Sequence, residues 1–237
     1  MSVDEEYLQK LMRTISHDMG GTLRVAVGFS KLLLENYSDD LDEKAIKWLS
    51  LIKADGEKTQ EKLIALSRYA RFYDIPDNPV DCDLNELCKK AIETFGLDEF
   101  YSDINLVIDD LPVVNGYERL WLESFAELVG NVAKHAGGAT SIRCRIYSYT
   151  TDDAVHICVV DNGVGLTAKQ REMAILPFRT IEGAGTVGVG MGLPMVKRMA
   201  ELQGGDLTLE DNPTDETGLH LSIILPLDQL ITPALTP

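Results

Sequence analysis

The chain has 237 residues, 45% of them hydrophobic and 25% charged, a balance that is typical of soluble globular proteins and excludes an intrinsically disordered chain. No run of about 20 apolar residues could span a membrane, and the amino terminus has no secretion signal, so we expect a cytoplasmic protein without a membrane span. The formal charge of −16 disfavours nucleic acid as a partner, because phosphate backbones are bound by an excess of lysine and arginine.

The distribution of charge divides the chain into two regions. Residues 1–74 hold 11 Lys and Arg against 13 Asp and Glu, whereas residues 75–237 hold 11 against 25. The stretch Phe72–Pro79 contains two prolines and several turn-forming residues, which is typical of a linker. We therefore predict two domains, 1–74 and 75–237. The four cysteines lack CxxC or zinc-ligand spacing and are expected to be reduced thiols.

In the first region, apolar and small residues recur at alternating steps of four and three, a heptad pattern that predicts long helices. The first seam consists of Leu8, Met12, Ile15, Met19, Thr22, Ala26, Phe29 and Leu33. After a polar break at residues 36–40, the second seam consists of Ala45, Leu49, Ile52, Gly56, Thr59, Leu63, Leu66, Ala70 and Tyr73. Two such helices joined by a short turn form an antiparallel hairpin.

An isolated two-helix hairpin leaves much of its apolar seam in water. Two hairpins cover their seams by pairing into a four-helix bundle. We therefore expect a homodimer, and the alternative is that the hairpin packs on the rest of its own chain.

In the second region, predicted helices and strands are interleaved, which indicates an α+β fold with a sheet covered on one face by helices. The predicted helices are Asp83–Phe95, Tyr117–Ala136 and Leu193–Gln203, and the predicted strands are Ile104–Ile108, Ser141–Tyr149, Ala154–Val160, Asp206–Glu210 and Gly218–Leu225. Residues 166–187 show no clean periodicity.

Two glycine-bearing motifs suit a nucleotide. The run GVGMGL (188–193) opens a predicted helix, where free backbone N–H groups and the helix dipole favour an anion. The run DNGVG (161–165) directly follows a strand, so the Asp161 carboxylate at the strand end could accept a hydrogen bond from an exocyclic amine such as that of adenine. Taken singly, a glycine-rich loop without a ligand and a plain Asn-Gly turn remain open alternatives.

Two groups of polar residues lie on predicted helices. Glu127, Asn131 and Lys134 with His135 are spaced to share one helix face, where an Asn oxygen suits Mg²⁺ and a Lys neutralises phosphate charge. The alternative is a solvated polar face. His17, off the heptad seam, is expected to face outward as a neutral nucleophile oriented by neighbouring Asp18, although an ordinary surface histidine is the alternative.

Taken in chain order, five segments resemble the H, N, G1, F and G2 boxes of sensor histidine kinases. They are SHDMGGTLR (16–24), ELVGNVAKH (127–135), DNGVG (161–165), LPF (176–178) and GVGMGL (188–193). The resemblance covers nearly the whole chain. It implies a dimerisation and phosphotransfer hairpin followed by an α/β sandwich that binds ATP, of the GHKL type.

The resemblance also implies a role for each site residue. His17 accepts a phosphoryl group from ATP with the help of Asp18, and passes it to an aspartate of a response regulator receiver domain. The remaining roles are Mg²⁺ binding by Asn131, a phosphate-region lining by Glu127, Lys134 and His135, adenine recognition by Asp161 backed by Gly163 and Gly165, a mobile lid that includes Phe178, and phosphate wrapping by Gly188, Gly190, Gly192 and Leu193.

The H-box departs from the family pattern. Many members have Thr or Asn and then Pro at the positions of Gly21 and Thr22, so phosphatase activity is in doubt, and a helix kink must come from Gly20 and Gly21. A histidine phosphotransferase that does not use ATP is the alternative function, although it would have lost the nucleotide motifs. A gyrase-type or chaperone-type ATPase is a further alternative, but it would need a large transducer domain after residue 227, where only Asp228–Pro237 follow in this sequence. The input signal is expected to come from another protein or a part outside this chain.

Overall fold

The computed structural model describes residues 3–74, 78–94, 104–134, 142–181, 188–214 and 217–232. The chain divides into two compact units, Met1–Asp74 and Ile75–Pro237. Within the described ranges, no helix is both long and apolar enough to cross a bilayer.

The first unit is a hairpin of two long helices, α1 (Val3–Asn36) and α2 (Glu43–Ala70). A turn with one 3₁₀ segment, Ser38–Asp40, joins them. The Asp42 carboxylate caps α2 by accepting a hydrogen bond from the Ala45 N–H at 2.7 Å, which satisfies one of the free donors of the first turn. The predicted helical hairpin is confirmed.

Small and polar residues fill the contact between the two helices. Ser16 and Ser30 are buried, and each hydroxyl donates a hydrogen bond to a carbonyl of its own helix at 2.8 Å. The helices approach closely where buried Val27 contacts Gly56, because any side chain at position 56 would overlap Val27.

The predicted apolar seam lies mostly on a different face from this contact. Six of its large residues are 36–63% exposed: Leu8, Ile15, Met19, Phe29, Leu33 and Ile52. The heptad pattern therefore located apolar stripes correctly. Most large residues of the first seam lie away from the contact between α1 and α2, whereas Gly56 and Ala70 of the second seam are buried.

The linker is shorter than predicted. Residues Arg71–Tyr73 form a 3₁₀ turn that contacts both helices, and Phe72 is fully buried. Arg13 and Asp74 form an ion pair at 2.7 Å across the end of the hairpin. Residues 72–74 thus belong to the first unit, because the aromatic side chain is worth more buried than in a solvated linker. Residues 75–77 lie outside the described ranges.

The second unit contains two sheets. A three-stranded antiparallel sheet has the order β1 (Val80–Asp83), β3 (Val113–Gly116), β8 (Leu230–Thr232). The main sheet has the order β2 (Ile104–Ile108), β4 (Ile142–Thr150), β5 (Ala154–Asp161), β7 (Leu219–Pro226), β6 (Asp206–Asp211). Only the β2–β4 pair of the main sheet is parallel.

Four helices accompany these strands in the described part of the unit. They are α3 (Leu84–Thr94), α4 (Glu118–Lys134), α5 (Ala168–Ala174) and α6 (Gly192–Leu202). Helix α4 packs against α3, α6 and β4, and α6 also packs against β6 and β7. The apolar residues of β4, β5 and β7 that alternate toward this side are buried, so the core lies between the sheet and the helices.

One polar pair fixes the base of this core. Trp121 of α4 is fully buried, and its indole N–H donates to the Gln203 side-chain oxygen at 3.2 Å just after α6 ends. Helix α6 then stops at Gly204, whose φ is 74°, and the Gly205 N–H bonds to the Ala200 carbonyl at 2.9 Å. Helices α4 and α6 are thereby held side by side.

The second unit agrees with the predicted elements to within one or two residues at most ends. The sequence analysis missed the three short strands β1, β3 and β8, and it missed helix α5. The three missed strands have only three or four residues, too few for a hydrophobic period to be recognised, and helix α5 has seven, fewer than two turns.

Candidate functional site

His17 lies on α1 with 86% of its side chain exposed. Its Nδ1 is 3.0 Å from Asp18 Oδ1. Because a carboxylate only accepts hydrogen bonds, a neutral imidazole in this pair carries its proton on Nδ1, and Nε2 keeps a free lone pair. The pair thus presents an oriented nucleophile to solvent. Helix α1 continues without a break through Gly20 and Gly21.

Helices α4 and α6 bring together one acidic and one amide side chain of the N-box, Glu127 and Asn131, with Gly192 of the G2-box. A Cβ at position 192 would lie 2.7 Å from Glu127 Oε2 and 3.3 Å from Asn131 Nδ2. Glu127 and Asn131 are one turn apart on the same face of α4, and both are half-buried. Only glycine at the start of α6 lets these two side chains converge there.

The first turn of α6 is built to receive an anion. Met191 precedes the helix and provides no capping side chain. The N–H groups of Gly192 and Leu193 belong to the first turn, where a helix offers them no internal acceptor. Together with the positive end of the helix dipole they favour a phosphate or carboxylate at this point.

Asp161 is the last residue of β5, and its carboxylate is held in place by backbone donors. Its Oδ1 accepts hydrogen bonds from the Gly163 N–H at 2.7 Å and from the Leu219 N–H at 3.3 Å. By strand alternation its side chain follows buried Ile157 and Val159 on the helix-bearing side of the sheet. The carboxylate is half-buried and fixed at the edge of the layer between sheet and helices.

The loop after Asp161 needs its glycine because another backbone lies against it. Gly165 has a φ of 68°, and a Cβ there would be 2.9 Å from the Gly218 carbonyl oxygen. Gly218 in turn has a φ of 138°, and any side chain on it would overlap the Asp161 carbonyl. Two loops that are distant in sequence thus support the Asp161 turn from behind.

The F-box and the G2-box meet through their backbones. The Phe178 N–H donates to the Gly190 carbonyl at 3.0 Å, and a side chain at position 190 would overlap the Arg179 backbone. Phe178 itself has a φ of 59°, an unfavourable value for an aromatic residue that the surrounding contacts must maintain. Its ring is 38% exposed.

The other predicted site residues are less constrained. Gly188 has a φ of 109°, and a Cβ there would have no atom within 4 Å, so the backbone conformation alone requires glycine. The Lys134 ammonium folds back over its own helix and would lie 3.8 Å from a Cβ at position 130. His135 lies outside the described residues.

The residues around Gly192 are compatible with a magnesium-bound nucleotide. Among the residues that the structure describes, no three His, Cys, Asp or Glu side chains form a cluster that could hold a metal unaided. The carboxylate of Glu127 and the amide of Asn131, next to the first-turn N–H groups of α6, instead suit a hard cation that brings phosphate oxygens as its further ligands.

Sequence reasoning missed the contacts that support the Asp161 turn from elsewhere in the chain. Asn212 donates its side-chain N–H to the Asp161 carbonyl at 2.8 Å, and the Arg143 N–H of β4 donates to the Asn162 side-chain oxygen at 2.7 Å. Leu219 and Gly218 contribute backbone atoms only. No local motif could have identified these partners, because three of the four lie about 50 or more residues from the turn.

Part of the second unit matches a known protein family. Residues 116–229 match the model described as histidine kinase-, DNA gyrase B-, and HSP90-like ATPase. This range starts at the end of β3 and includes every predicted nucleotide-site residue.

Curated relatives match most of the chain. The phytochrome-like protein Cph1 of Synechocystis sp. is 25% identical over 217 residues, which cover 91% of this chain and 29% of that protein. The signal transduction histidine-protein kinase AtoS of Escherichia coli is 22% identical over 93% of this chain and 35% of its own. The sensor-type histidine kinase PrrB of Mycobacterium leprae is 29% identical over 71% and 37%. This chain thus spans about a third of the length of these relatives.

Solved structures share the fold. The mycobacterial sensor histidine kinase MprB superposes with a TM-score of 0.54 at 23% identity, covering 62% of this chain and 97% of that one. Full-length ShkA, crystallised in complex with AMPPNP, superposes with a TM-score of 0.62 at 18% identity, covering 95% of this chain and 47% of that one. The predicted fold class, a helical region followed by a GHKL-type α/β domain, is confirmed. Residues 116–229 are therefore similar to the histidine kinase-, DNA gyrase B- and HSP90-like ATPase family, within a sequence that resembles sensor histidine kinases along most of its length.

Proposed function

We propose that this chain is an ATP-dependent protein histidine kinase that phosphorylates its own His17 and passes the phosphoryl group to an aspartate of a response regulator receiver domain. The observation that carries the proposal is the convergence of Glu127 and Asn131 on Gly192 at the first turn of α6, which the side chain of its N-cap residue Met191 does not cap. A phosphotransferase that no longer used ATP would have no need for this arrangement.

The second unit is proposed to bind Mg-ATP. Asp161 accepts a hydrogen bond from the adenine amine, and Gly163 and Gly165 keep its turn compact. The N–H groups of Gly192 and Leu193 bind phosphate oxygens. The complex of ShkA with AMPPNP, an ATP analogue bound by a protein of the same fold, supports this choice of nucleotide.

The metal-binding role is proposed for Asn131, with Glu127, Lys134 and His135 around the phosphates. Bound Mg²⁺ would supply positive charge that neutralises the phosphate oxygens during transfer. The side chains themselves provide orientation. Glu127 stays beside the α6 terminus only because residue 192 has no side chain, and Lys134 adds a cation on the same helix.

Phosphoryl transfer needs an oriented acceptor, and His17 provides it. Asp18 accepts the hydrogen bond from Nδ1–H, so the Nε2 lone pair is available to attack phosphorus. As the N–P bond forms, the bond from the γ-phosphorus to the bridging oxygen breaks and ADP leaves. Positive charge develops on the ring, and the carboxylate 3.0 Å away stabilises it. The linker after Asp74 would have to allow the nucleotide-binding unit to reach the histidine.

The first unit is proposed to form a homodimer through its exposed apolar stripe. A row of large side chains that are 36–63% exposed is more apolar surface than a helix normally leaves in water. A second hairpin would cover the stripe and form a four-helix bundle. The receiver domain would then dock beside His17, and the input signal would come from a partner protein or a part outside this chain.

The kinase proposal is tested by incubation with Mg²⁺ and ATP labelled in the γ-phosphate. The expected result is an acid-labile, alkali-stable label that is lost in His17→Gln and Asn131→Ala. Undiminished label in His17→Gln would refute the acceptor assignment. If ATP neither binds nor labels the wild type, and a phosphorylated receiver domain does label His17, the phosphotransferase alternative is correct.

A further inference from the structure

One face of α1 carries both His17 and an arginine two turns further on. Successive residues of an α-helix are rotated by about 100°, so position 24 is displaced by only about 20° around the axis from position 17. Gly20 and Gly21 lie between the two, on either side of the line that joins them. Histidine and arginine are therefore separated on this face by two residues without side chains.

The Arg24 side chain extends back toward the histidine. Side chains of a helix lean toward its amino terminus, so a residue C-terminal to His17 leans toward it. A Cβ at position 20 would lie 3.7 Å from one terminal nitrogen of Arg24, and a Cβ at position 21 would lie 3.9 Å from the other. The two terminal nitrogens of the Arg24 guanidinium thus lie beside the two glycines, one turn from His17.

A second arginine on the same helix provides a contrast. Arg13 precedes His17 by four residues, so its side chain leans away from the histidine. It is also engaged, because its Nη2 lies 2.7 Å from Asp74 Oδ2. Arg24 has no carboxylate within ion-pair distance among the residues that the structure describes. Of the two arginines, only Arg24 is both directed toward His17 and available for an anion.

We propose that Arg24 binds the phosphoryl group on phosphorylated His17, through a guanidinium that the side-chain-free track of Gly20 and Gly21 allows to lie along the helix. This inference rests on the proposed phosphorylation of His17. A phosphoryl group carries close to two negative charges at neutral pH, and guanidinium pairs with its oxygens in a bidentate, charge-assisted manner. Arg24 thereby stabilises the phosphorylated state and retains the phosphate for the receiver domain.

Gly20 and Gly21 are then required for the position of the Arg24 side chain, in addition to lacking the polar side chain that many family members have there. A longer side chain at position 20 or 21 would occupy the space that the guanidinium now fills, because even a Cβ is already in van der Waals contact with it. Phosphate recognition on this helix therefore depends on Arg24, two turns after His17.

The first test is the equilibrium between the labelled protein and ADP. Labelled protein is titrated with ADP, and the ratio of phosphorylated to unphosphorylated protein at equilibrium is compared in wild type, Arg24→Gln and Arg24→Lys. Exposed ion pairs contribute little free energy, but charge-assisted contacts to phosphate contribute more. We therefore expect this ratio to fall about fivefold in Arg24→Gln and to recover partly in Arg24→Lys. Lys31→Gln is the matched control, since Lys31 is exposed on the same helix and pairs with Glu35 at 3.7 Å.

The second test does not depend on ATP. Phosphoramidate phosphorylates histidine directly, and the ³¹P signal missing from His17→Gln identifies the relevant phosphohistidine. The pH midpoint of this signal's chemical shift should be higher by about 0.5 in Arg24→Gln than in wild type, because a neighbouring cation favours the dianion. A role for Arg24 in helix stability alone would leave this midpoint unchanged, and circular dichroism checks that the variant keeps its helix content.

The outcomes separate the two proposals. Failure of ATP labelling with a shifted ³¹P midpoint refutes the kinase proposal and supports the phosphoryl contact. Normal labelling with equal midpoints and equal ADP equilibria in wild type and Arg24→Gln overturns the role of Arg24. An equal loss in Lys31→Gln would also overturn it, since general helix charge would then explain the effect.

Discussion

Replacing Gly192 with alanine should separate folding from nucleotide chemistry. The new Cβ would lie 2.7 Å from Glu127 Oε2, whereas carbon atoms and their neighbours are at optimal contact near 3.5 Å, so the carboxylate must move by about 0.8 Å. This atom is the end of a flexible side chain, so it can move without unfolding the core. Alanine also favours a helix over glycine by about 0.5–1 kcal/mol, which offsets the cost of the displacement.

The expected phenotype of Gly192→Ala is a stable but weakly active protein. A catalytic group displaced by about 1 Å can lower a rate by about a hundredfold, so the initial rate of His17 labelling should fall on that order while the melting temperature changes by only a few degrees. The rate is measured under saturating Mg-ATP and the melting temperature by circular dichroism.

Gly130→Ala is the matched control. It adds the same methyl group to α4 next to Asn131, but the nearest atom is Lys134 Nζ at 3.8 Å, an ordinary contact. The control should therefore keep its labelling rate. A wild-type rate in Gly192→Ala would refute the reasoning, since it would mean that the Glu127 position beside α6 has no part in the reaction.

Three further predictions follow from the described contacts. In Asp161→Asn, the retained oxygen still accepts from the Gly163 and Leu219 N–H groups, so the fold persists, while ATP affinity measured by calorimetry falls by about 1.5–3 kcal/mol; unchanged affinity would contradict the adenine role. Phe29 and Ile52 are 63% and 51% exposed in one chain, and the double variant Phe29→Glu with Ile52→Glu should be a monomer by light scattering that still binds ATP. A monomeric wild type at about 10 μM or above would exclude the bundle. Burial raises the pKa of Cys82 to about 11 and that of Cys88 to about 12, so above pH ~8.5 the folded chain holds more protons than the unfolded chain; the urea midpoint should fall as the pH rises from about 8 to about 10, and a rising midpoint would show that these thiols do not govern the alkaline side.

Long helices and strands were predictable because their hydrophobic period is repeated several times. Helix α1 extends for 34 residues and β4 for nine, and both show their hydrophobic period over several repeats. The period could identify the apolar stripe of the hairpin but not the surface that would cover it. The actual contact between α1 and α2 uses serine, glycine and valine, which hydrophobicity alone does not distinguish from a solvated face.

Helix α5 was missed although a local signal was present. Thr167 and Gln170 form a capping box, in which Thr167 Oγ1 accepts from the Gln170 N–H at 3.4 Å and the Gln170 side chain accepts from the Thr167 N–H at 2.9 Å. The spacing of Thr and Gln three residues apart is a recognisable start signal for a helix. A hydrophobic period does not reveal this helix, because seven residues make fewer than two full turns.

The candidate site was predictable in its residue types and only partly in its geometry. The five motifs identified Asp161, Asn131 and the glycines in order, but the reasons for those glycines come from elsewhere in the fold. Gly165 is required by the Gly218 backbone and Gly192 by Glu127. Such constraints depend on which loops the sheet order brings together, and a sequence without its topology does not contain that information in readable form.

The bond between the Phe178 N–H and the Gly190 carbonyl has a consequence for how this region can change over evolution. It ties the two ends of the intervening segment together independently of what that segment contains. The entropy of closing such a segment grows slowly, by about 0.6 kcal/mol for each doubling of its length. Changes in chain length between Arg179 and Gly188 that keep Gly188 and Gly190 in place should thus be tolerated. Homologous proteins are expected to differ in length there, and a foreign sequence could be grafted there.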